Sequence, residues 1–293
     1  MTYKSPIVYF GSKYRIIDEI IRYCPEHINT VHDVFSGAFN VGSNIPAKIH
    51  ICNDIDTRIT EMIKLFRNFK GEALCKMIEC RIKQFNLTSM GQESYNIFRK
   101  EYNTSPNPLD LFILHIFSFC HAIRFNSKGE FNMPIGKGYF NDDLRQCVKD
   151  FCIWLNMMDV RFTNMDFHTY LTTMDISNDD LVYCDPPYLI SDAPYNSIWN
   201  EEKEEDLYRC LYGIGRMGKR FMLSNVLFHK GKLNEQLDTF IKNNDLYVAH
   251  LEIQMYNKNF CNTDVEQATD TDEVIVTNYD ITDKLPKKSR KLW

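Results

Sequence analysis

The chain has 293 residues, of which 44% are hydrophobic and 25% are charged, and its formal net charge is −5 at pH 7. This length and composition are typical of a globular protein with about two domains and a core larger than a mini-protein can build. No apolar run approaches the roughly 20 residues of a membrane helix, and the first 17 residues are too polar for a signal peptide. We therefore expect a cytoplasmic protein without membrane contact.

The first third of the chain alternates between strand and helix patterns. Residues 31–35 are predicted to form a short buried strand that ends at Ser36-Gly37, and a short helix is predicted near residues 41–45. A second strand pattern at residues 50–52 leads into Asn53-Asp54. Such units are typical of a parallel, doubly wound α/β sheet.

From Thr57 the apolar residues recur at the spacing of an amphipathic helix. A turn at residues 127–130 separates two extended stretches in this part of the chain. Further helices are predicted around residues 71–84, around residues 109–120, and from Leu144 to Leu155. The pattern predicts a mainly helical insertion that carries a hairpin.

The insertion is also basic, although the whole chain is acidic. Residues 57–150 contain fourteen Lys and Arg against ten Asp and Glu. Binding to phosphates needs only a local basic face, so this segment is a candidate for contact with nucleic acid. A merely solvated, mixed surface is the alternative.

Strand patterns return after the insertion. They are predicted at residues 160–163, 181–184, 220–224, 246–251 and 273–277. The chain thus divides into an α/β domain of residues 1–56 and 157–283, the insertion at residues 57–156, and a basic tail at residues 284–293.

The ten cysteines form no C-x-x-C pair. A zinc site and a disulfide framework are therefore not indicated, and we expect buried, reduced thiols and no metal.

The sharpest motif follows the strand predicted at residues 181–184. Asp185 stands at the carboxyl end of that strand, where open α/β sheets bind ligands. Pro186 and Pro187 stiffen the turn that leads to Tyr188. A carboxylate and a backbone carbonyl there can accept hydrogen bonds from the NH₂ group of a nucleobase, and the ring can stack on a flipped base. The motif predicts chemistry on an exocyclic amine such as adenine N6.

Two other interpretations of this motif are open. A Pro-Pro turn with a purely structural role has the same sequence. A polyproline II ligand is disfavoured, because Tyr188 directly follows the prolines and the flanking strand is core-like.

A second motif, Asp33-Val34-Phe35-Ser36-Gly37, follows the first predicted strand. It lacks the G-x-G-x-x-G dinucleotide fingerprint. A glycine here still lets the backbone approach a bound nucleoside closely, and Asp54 is placed to accept hydrogen bonds from both ribose hydroxyls. A structural turn explains the same residues equally well.

Taken together, these residues resemble the Dam-like DNA adenine-N6 methyltransferases, especially their phage branch. The matching segments include Tyr9–Lys13, Asp33–Gly37, Asp54, Asp166-Phe167, Asp185–Asn196, Ser224–Leu227 and Thr271–Val274. Their order is that of the class in which the target-recognition domain lies between the cofactor and catalytic motifs.

The resemblance implies a Rossmann-like, S-adenosylmethionine-dependent methyltransferase sheet in the α/β domain, with residues 57–156 as the inserted target-recognition domain. It implies that the catalytic residues are Asp185, Pro186, Pro187 and Tyr188. The implied cofactor-binding residues are Tyr9, Gly11, Lys13, Asp33, Phe35, Gly37, Asp54, Asp166, Phe167 and Asp185.

Residues 119–139 are similar to the DNA-reading hairpin of that family. The resemblance implies that Phe119 is a wedge between bases, and that further DNA contacts come from Arg124, Asn126, Pro134, Lys137 and Tyr139. An arginine suits the role implied for Arg124, because its guanidinium offers paired donors to guanine O6 and N7. The sequence also departs from the phage pattern, since Gly138 replaces an arginine and Ala122 a larger side chain.

The resemblance implies methyl transfer from S-adenosyl-L-methionine to a flipped adenine in double-stranded DNA, with GATC as the leading site. It implies a monomer or weak dimer in a bacterial or phage-infected cell, acting either with a restriction enzyme or alone. The rivals on the same fold are an N4-cytosine methyltransferase, an RNA adenine methyltransferase, and a catalytically silent DNA-binding homologue.

Overall fold

A computed structural model of the chain describes residues 2–9, 11–190, 199–251 and 271–286. The chain forms two compact units. The first comprises residues 1–14, 37–43 and 56–160, and the second comprises residues 15–36, 44–55 and 161–293. Among the helices of the described ranges, none has the length and apolarity that crossing a bilayer requires.

The second unit is built on a mainly parallel sheet. Its strands are β1 (Thr30–Asp33), β2 (Ile49–Asn53), β3 (Asp159–Thr163), β4 (Leu181–Cys184), β5 (Arg220–His229), β6 (Lys232–Leu233), β7 (Tyr247–His250) and β8 (Thr271–Thr277). Within the described residues the strand order is β3-β2-β1-β4-β5-β8-β7, and β6 pairs with β5. The α/β class predicted from the sequence is confirmed.

The sheet has a reversal of strand order between β1 and β4. β1 pairs in parallel with β2 on one side and with β4 on the other, and Asp33 lies opposite Tyr183 in the register. β4 continues in parallel to β5, whereas β8 and β7 extend the sheet with antiparallel pairs. Open α/β sheets bind ligands in the crevice at such a reversal, outside the carboxyl ends of the strands.

Three helices of this unit pack on one face of the sheet. They are α7 (Phe167–Thr173), α8 (Glu201–Arg216) and α9 (Glu235–Asn243), and α1 (Ile17–Arg22) precedes β1. Alternate residues of β4, Val182 and Cys184, join Leu207 and Leu211 of α8 in one buried cluster. All four residues of β4 are buried, as expected for a central parallel strand covered on both faces.

The first unit is mainly helical. It contains α2 (Thr57–Asn68), α3 (Gly71–Gln84), α4 (Gln92–Thr104), α5 (Pro108–Phe117) and α6 (Asp142–Met157). Phe66, Phe112 and Phe151 meet edge to face at its centre, with ring centroids 5.1 and 5.7 Å apart. The buried carboxylate of Asp110 accepts two hydrogen bonds from the Arg81 guanidinium, at 2.7 and 2.8 Å.

The extended part of the first unit contains the predicted turn at residues 127–130. Asn126 N donates to Glu130 O at 2.9 Å, and Asn132 N donates to Arg124 O at 3.1 Å. The second arm then turns back along the end of α5, since Phe119 N donates to Pro134 O at 2.9 Å.

Two predicted helices differ from the structure. The helix predicted over residues 109–120 ends at Phe117, because Ser118 is extended and Cys120 has a φ of +53°. The helix predicted near residues 41–45 is a run of turns, preceded by Phe39 with a φ of +62°. The extended backbone of Ser118 ends the first helix, and the second segment follows the left-handed Phe39 as turns without a regular helical hydrogen-bond ladder.

The structure also gives a physical reason for Gly138. A Cβ atom at this position would lie 1.8 Å from the carbonyl oxygen of Ile116 in α5 and 2.9 Å from His121. The backbone here approaches α5 too closely for any side chain, so the arginine of the resembled pattern does not fit this chain without a change in the path of its backbone.

We expect Gly138→Ala to lower the free energy of unfolding by about 1–3 kcal/mol or more, because overpacking against a backbone carbonyl cannot be relieved by a side-chain rotation. Denaturant unfolding measures this. Gly213→Ala in α8 is the control, since among the described residues a Cβ there meets no atom within 4 Å beyond its chain neighbours and its own helix backbone. This substitution is expected to raise stability slightly. Equal stability of Gly138→Ala and the parent chain would contradict the close approach.

Candidate active site

One buried carboxamide, at the end of β2, joins three strand ends. The Asn53 Nδ2 donates to Val34 O at 2.9 Å and to Met165 O at 3.0 Å. Its Oδ1 accepts from Met165 N at 3.0 Å and from the Thr163 hydroxyl at 2.8 Å. Both donors and both acceptor positions of the amide are therefore used, and the segments that follow β1 and β3 are held at the end of β2.

Two predicted acidic residues lie next to these strand ends. Asp54 follows Asn53, and its carbonyl oxygen accepts from Asn164 Nδ2 at 3.1 Å. Asp166 begins α7, where its carboxylate accepts from His168 N at 3.0 Å as a helix N-cap. Asn53 was noted in the sequence only as a strand end, because the pattern alone does not show which backbone groups its amide reaches.

The motif after β4 forms a hydrogen-bonded pair. The Tyr188 hydroxyl donates to the Asp185 Oδ1 at 2.8 Å. Burial of that hydroxyl, and then the negative charge of Asp185, hold the pKa of Tyr188 well above its ordinary value. Tyr188 therefore stays protonated near neutral pH and acts as a donor to the carboxylate.

The pKa values of two residues of β4, Tyr183 and Cys184, are also raised. Burial raises the pKa of Tyr183 well above its ordinary value, and the carboxylates of Asp185 and Asp33 add to the effect. Burial and the Asp33 carboxylate likewise raise the pKa of the Cys184 thiol. The strand ends of β1 and β4 thus share a negative electrostatic environment.

Three aromatic rings pack beside these strand ends. Phe35 stacks on Phe167 with ring centroids 5.6 Å apart, and Trp199 meets them at 5.7 and 5.4 Å respectively. Trp199 and Phe167 are buried, whereas Phe35 is partly exposed. Trp199 was not predicted from the sequence. A lone tryptophan just before Asn200, the N-cap of α8, gives no local pattern that indicates its role.

The predicted cofactor residues fall in both units. The second unit contains Asp33, Phe35, Asp54, Asp166, Phe167 and Asp185, and the first unit contains Tyr9, Gly11, Lys13 and Gly37. The catalytic motif, Asp185 to Tyr188, belongs to the second unit, and the residues Tyr195-Asn196 that extend it lie outside the described residues. Cofactor binding by either group stays a prediction.

The N-terminal group has its own local geometry. Gly37 has a φ of +47°, and a Cβ there would lie 3.2 Å from the ring of Tyr9. Lys13 is buried, and its ammonium donates to the carbonyl of Gly11 at 3.2 Å. Glycine at position 37 therefore allows both a left-handed backbone and a close tyrosine ring.

In the first unit, Phe119 is an exposed aromatic residue with 52% of its surface accessible. The next two residues, Cys120 and His121, have φ values of +53° and +52°. Consecutive left-handed residues without glycine are strained and cluster at functional sites, so this turn suits the wedge role predicted for Phe119.

The predicted base-reading residues Arg124 and Asn126 already have partners within the hairpin. The Arg124 Nε donates to Asn132 Oδ1 at 2.8 Å, which orients an exposed guanidinium. The Asn126 Oδ1 accepts from Lys128 N and Glu130 N, and its Nδ2 donates to Glu130. Asn126 therefore holds the turn, and contact of its side chain with a base stays a prediction.

The remaining predicted DNA contacts are exposed. Pro134, Lys137 and Tyr139 lie on the surface of the first unit. Lys137 and Tyr139 line an open cavity of about 510 Å³ together with His121 and Lys4.

In the described part of the chain, three side chains of types that can bind a metal ion lie close together. The ligand atoms of His168, Asp206 and Cys210 lie within 4.8 Å of one another. Burial raises the pKa of the Cys210 thiol to about 11, and Asp206 accepts a hydrogen bond from Arg209 at 3.1 Å. A protonated thiol and an arginine-paired carboxylate are poor metal ligands, and the expectation that no metal is needed stays a prediction.

Comparison with known proteins identifies a family. Residues 9–259 match the family of the D12 class N6 adenine-specific DNA methyltransferases. The chain is 38% identical over 288 residues to the modification methylase StsI of Streptococcus sanguinis, and 35% identical over 284 residues to the type II methyltransferase M.FokI of Planomicrobium okeanokoites. Each alignment covers 94% of this chain but only 43% of the relative, so the chain spans less than half their length.

A second kind of relative matches a shorter stretch. The DNA adenine methylase of Haemophilus influenzae is 30% identical over 186 residues, which is 61% of each protein. The DNA adenine methylase of Escherichia coli K12 is 28% identical over 200 residues, or 65% of each protein.

We expect Asn53→Ala to lower the free energy of unfolding by about 1–3 kcal/mol or more, because it leaves buried backbone groups at the strand ends without partners. Asn29→Ala is the matched control, since that amide makes a single 3.4 Å hydrogen bond and its loss should cost about 0.5 kcal/mol or less. Urea unfolding of the two variants makes the comparison. Equal losses for both would contradict a special role for Asn53.

Proposed function

Because this chain belongs to the family of D12 class N6 adenine-specific DNA methyltransferases, we propose that it transfers a methyl group from S-adenosyl-L-methionine to adenine N6 in double-stranded DNA. The observation that carries the proposal is the Asp185–Tyr188 hydrogen bond at the carboxyl end of β4. It lies where the strand order reverses, which is where ligands bind in sheets of this kind.

The residues of the second unit fit the proposed cofactor. The partly exposed ring of Phe35, supported by the buried rings of Phe167 and Trp199, offers a surface for an adenine ring. Asp54 offers a carboxylate to ribose hydroxyls. When bound, the cofactor would supply an electrophilic methyl group on a sulfonium. The negative environment of Asp33 and Asp185 suits that positive charge.

The protein's own part in the reaction is positioning and hydrogen bonding. Adenine N6 is a poor nucleophile, because its lone pair is delocalised into the ring. We assign to Asp185 the role of accepting a hydrogen bond from the N6 amine, which favours tetrahedral nitrogen as the N–C bond forms. The amine loses one proton when the methyl group is added. The Asp185 carboxylate, which already accepts a hydrogen bond from the amine, is the first group placed to accept that proton. Tyr188 holds that carboxylate in place.

The proline pair sets the geometry of this turn. Pro186 and Pro187 fix φ and remove two backbone donors, so the turn after β4 has little freedom. A flipped base is expected to stack against the Tyr188 ring, as base-modifying enzymes require the target to leave the duplex.

We expect Asp185→Ala to reduce kcat for methyl transfer at least tenfold and to leave cofactor affinity within a few-fold, because the carboxylate is assigned to the amine. Single-turnover transfer of a labelled methyl group and calorimetry measure the two quantities. Asp179→Ala, which removes an exposed carboxylate just before β4, is the control and should retain activity. Retention of a tenth or more of the parent kcat would contradict the assignment of Asp185.

Residues 57–156, which belong to the first unit, are the proposed target-recognition domain. Its residues 57–150 carry the excess of basic residues, and its exposed hairpin presents Arg124 and Phe119. Asn132 accepts from the Arg124 Nε at 2.8 Å and from its Nη2 at 3.3 Å. This orients the guanidinium and leaves its outer end, Nη1 and Nη2, for the acceptor pair of guanine. We propose GATC as the leading site, with looser discrimination at a flanking position, because Gly138 cannot donate from a side chain.

A second candidate is the modification enzyme of a restriction system with its own recognition sequence. The modification methylases align with 94% of this chain, whereas the DNA adenine methylases align with 61–65%. In that case the hairpin reads a recognition sequence other than GATC around the adenine that is methylated.

For Arg124→Ala we expect a loss of about 1–3 kcal/mol of discrimination at one base pair, with unchanged cofactor binding. Base-resolved mapping of N6-methyladenine shows which position is relaxed. Lys128→Ala removes a charge from the same hairpin and is the control, which should weaken methylation of all sites evenly. An unaltered site preference in Arg124→Ala, or a parent pattern without a central GAT, would show that this hairpin does not read the site as proposed.

A further inference from the structure

A fully buried carboxylate lies under the aromatic cluster of the second unit. Glu204, in the first turn of α8, has no accessible surface. Its Oε2 accepts from the Trp199 indole Nε1 at 2.5 Å. Its Oε1 accepts from the Tyr208 hydroxyl, from Asn225 Nδ2 at 3.0 Å and from Asn234 Nδ2 at 3.1 Å.

These four donors are all neutral groups. A buried carboxylate is costly unless its lone pairs are satisfied, and here they are satisfied by hydrogen bonds that converge from several elements. Asn225 belongs to β5, and Asn234 is the N-cap of α9. A carboxylate suits this position because it only accepts, so every donor around it can point inward at once.

Trp199 is the donor that connects Glu204 to the proposed cofactor site. Its ring contacts Phe35 and Phe167, which carry the predicted cofactor motifs. The single N–H group of an indole fixes the direction in which the ring plane extends, since the indole has only one donor. The Glu204 carboxylate therefore determines where the faces of this aromatic cluster lie.

We propose that Glu204 is a positioning residue for cofactor binding, which orients Trp199 so that this buried ring and that of Phe167 support the partly exposed ring of Phe35 against the cofactor's adenine. This rests on the proposed function. The Asp185 motif is not involved, so Glu204 acts on affinity for the cofactor and not on the hydrogen bond to the target amine.

Glutamine cannot replace this carboxylate. If its Oε1 faces Tyr208 and the two asparagines, its NH₂ group meets the Trp199 N–H, donor against donor. If the glutamine amide is rotated by half a turn, its oxygen faces the Trp199 N–H, but its NH₂ group then meets the NH₂ groups of the two asparagines. Either arrangement breaks contacts that the carboxylate makes, although the volume of the side chain is unchanged.

The test is a double-mutant cycle on cofactor affinity, with S-adenosyl-L-homocysteine as the probe in calorimetry. Glu204→Gln is expected to raise Kd about tenfold, the effect of losing one hydrogen bond to a charged group. In the Trp199→Phe background the same change should raise Kd by less than about threefold, because Glu204 then has no indole N–H to orient. A purely structural role would give the same factor in both backgrounds.

Tyr208→Phe is the matched control. It removes another donor to the same carboxylate, but the Tyr208 ring stacks on Phe240 at 4.6 Å and takes no part in the proposed cofactor surface. We expect it to lower Tm while it keeps Kd within about threefold of the parent value. Equal weakening of binding in Tyr208→Phe and Glu204→Gln would overturn the role of Trp199.

A measurement on the parent chain covers the case in which Glu204→Gln does not fold. The chain has three tryptophans, and the Trp199 indole ¹⁵N–¹H signal is identified as the one missing from Trp199→Phe. Its shift on addition of S-adenosyl-L-homocysteine supports the proposal, and an unchanged signal at saturation overturns it. If the parent chain does not bind the probe at all, the proposed function fails. If the parent binds but the cycle is additive, the inference about Glu204 alone fails.

Discussion

The Asn53 carboxamide is the constraint on which the proposed site depends. It bonds to the backbone after β1, to the side chain of the last residue of β3 and to the backbone after β3, so the ends of three strands share one buried group. An amide is suited to this task because it both donates and accepts. Asp54 and Asp166 take their positions from the backbone on either side of these bonds, and small displacements of such groups have large effects on binding and chemistry.

Charge is divided between the two units in a way that matches their proposed roles. In the second unit, carboxylates at the strand ends add to the effect of burial and keep the pKa values of Tyr183, Tyr188 and Cys184 high. A negative environment is favourable for a cationic sulfonium and unfavourable for phosphates. The basic excess lies in residues 57–150, where contact with a DNA backbone is proposed. The acidic net charge of the chain therefore does not argue against a nucleic-acid substrate.

The sequence predicted those parts of the molecule that local patterns encode. The strand over residues 181–184 is the observed β4, and the motif after it stands at the end of that strand, because a continuous apolar run followed by Asp-Pro-Pro leaves few alternatives. The helix ending at Phe117 was predicted too long, because the chain after it pairs with a later segment: Phe119 N donates to Pro134 O, and Gly136 N donates to Phe117 O. Asn53, Trp199 and Glu204 were missed for the same reason: their roles come from hydrogen bonds and ring contacts between residues far apart in the sequence.

Methylation of adenine N6 in duplex DNA is the activity proposed for this chain. It is tested most directly by incubating the purified chain with duplex DNA and S-adenosyl-L-methionine carrying a labelled methyl group, digesting the DNA to nucleosides and separating them by chromatography with mass detection. We predict that the label is recovered as N6-methyldeoxyadenosine. Recovery as N4-methyldeoxycytidine, or labelling of RNA but not of duplex DNA, would contradict it.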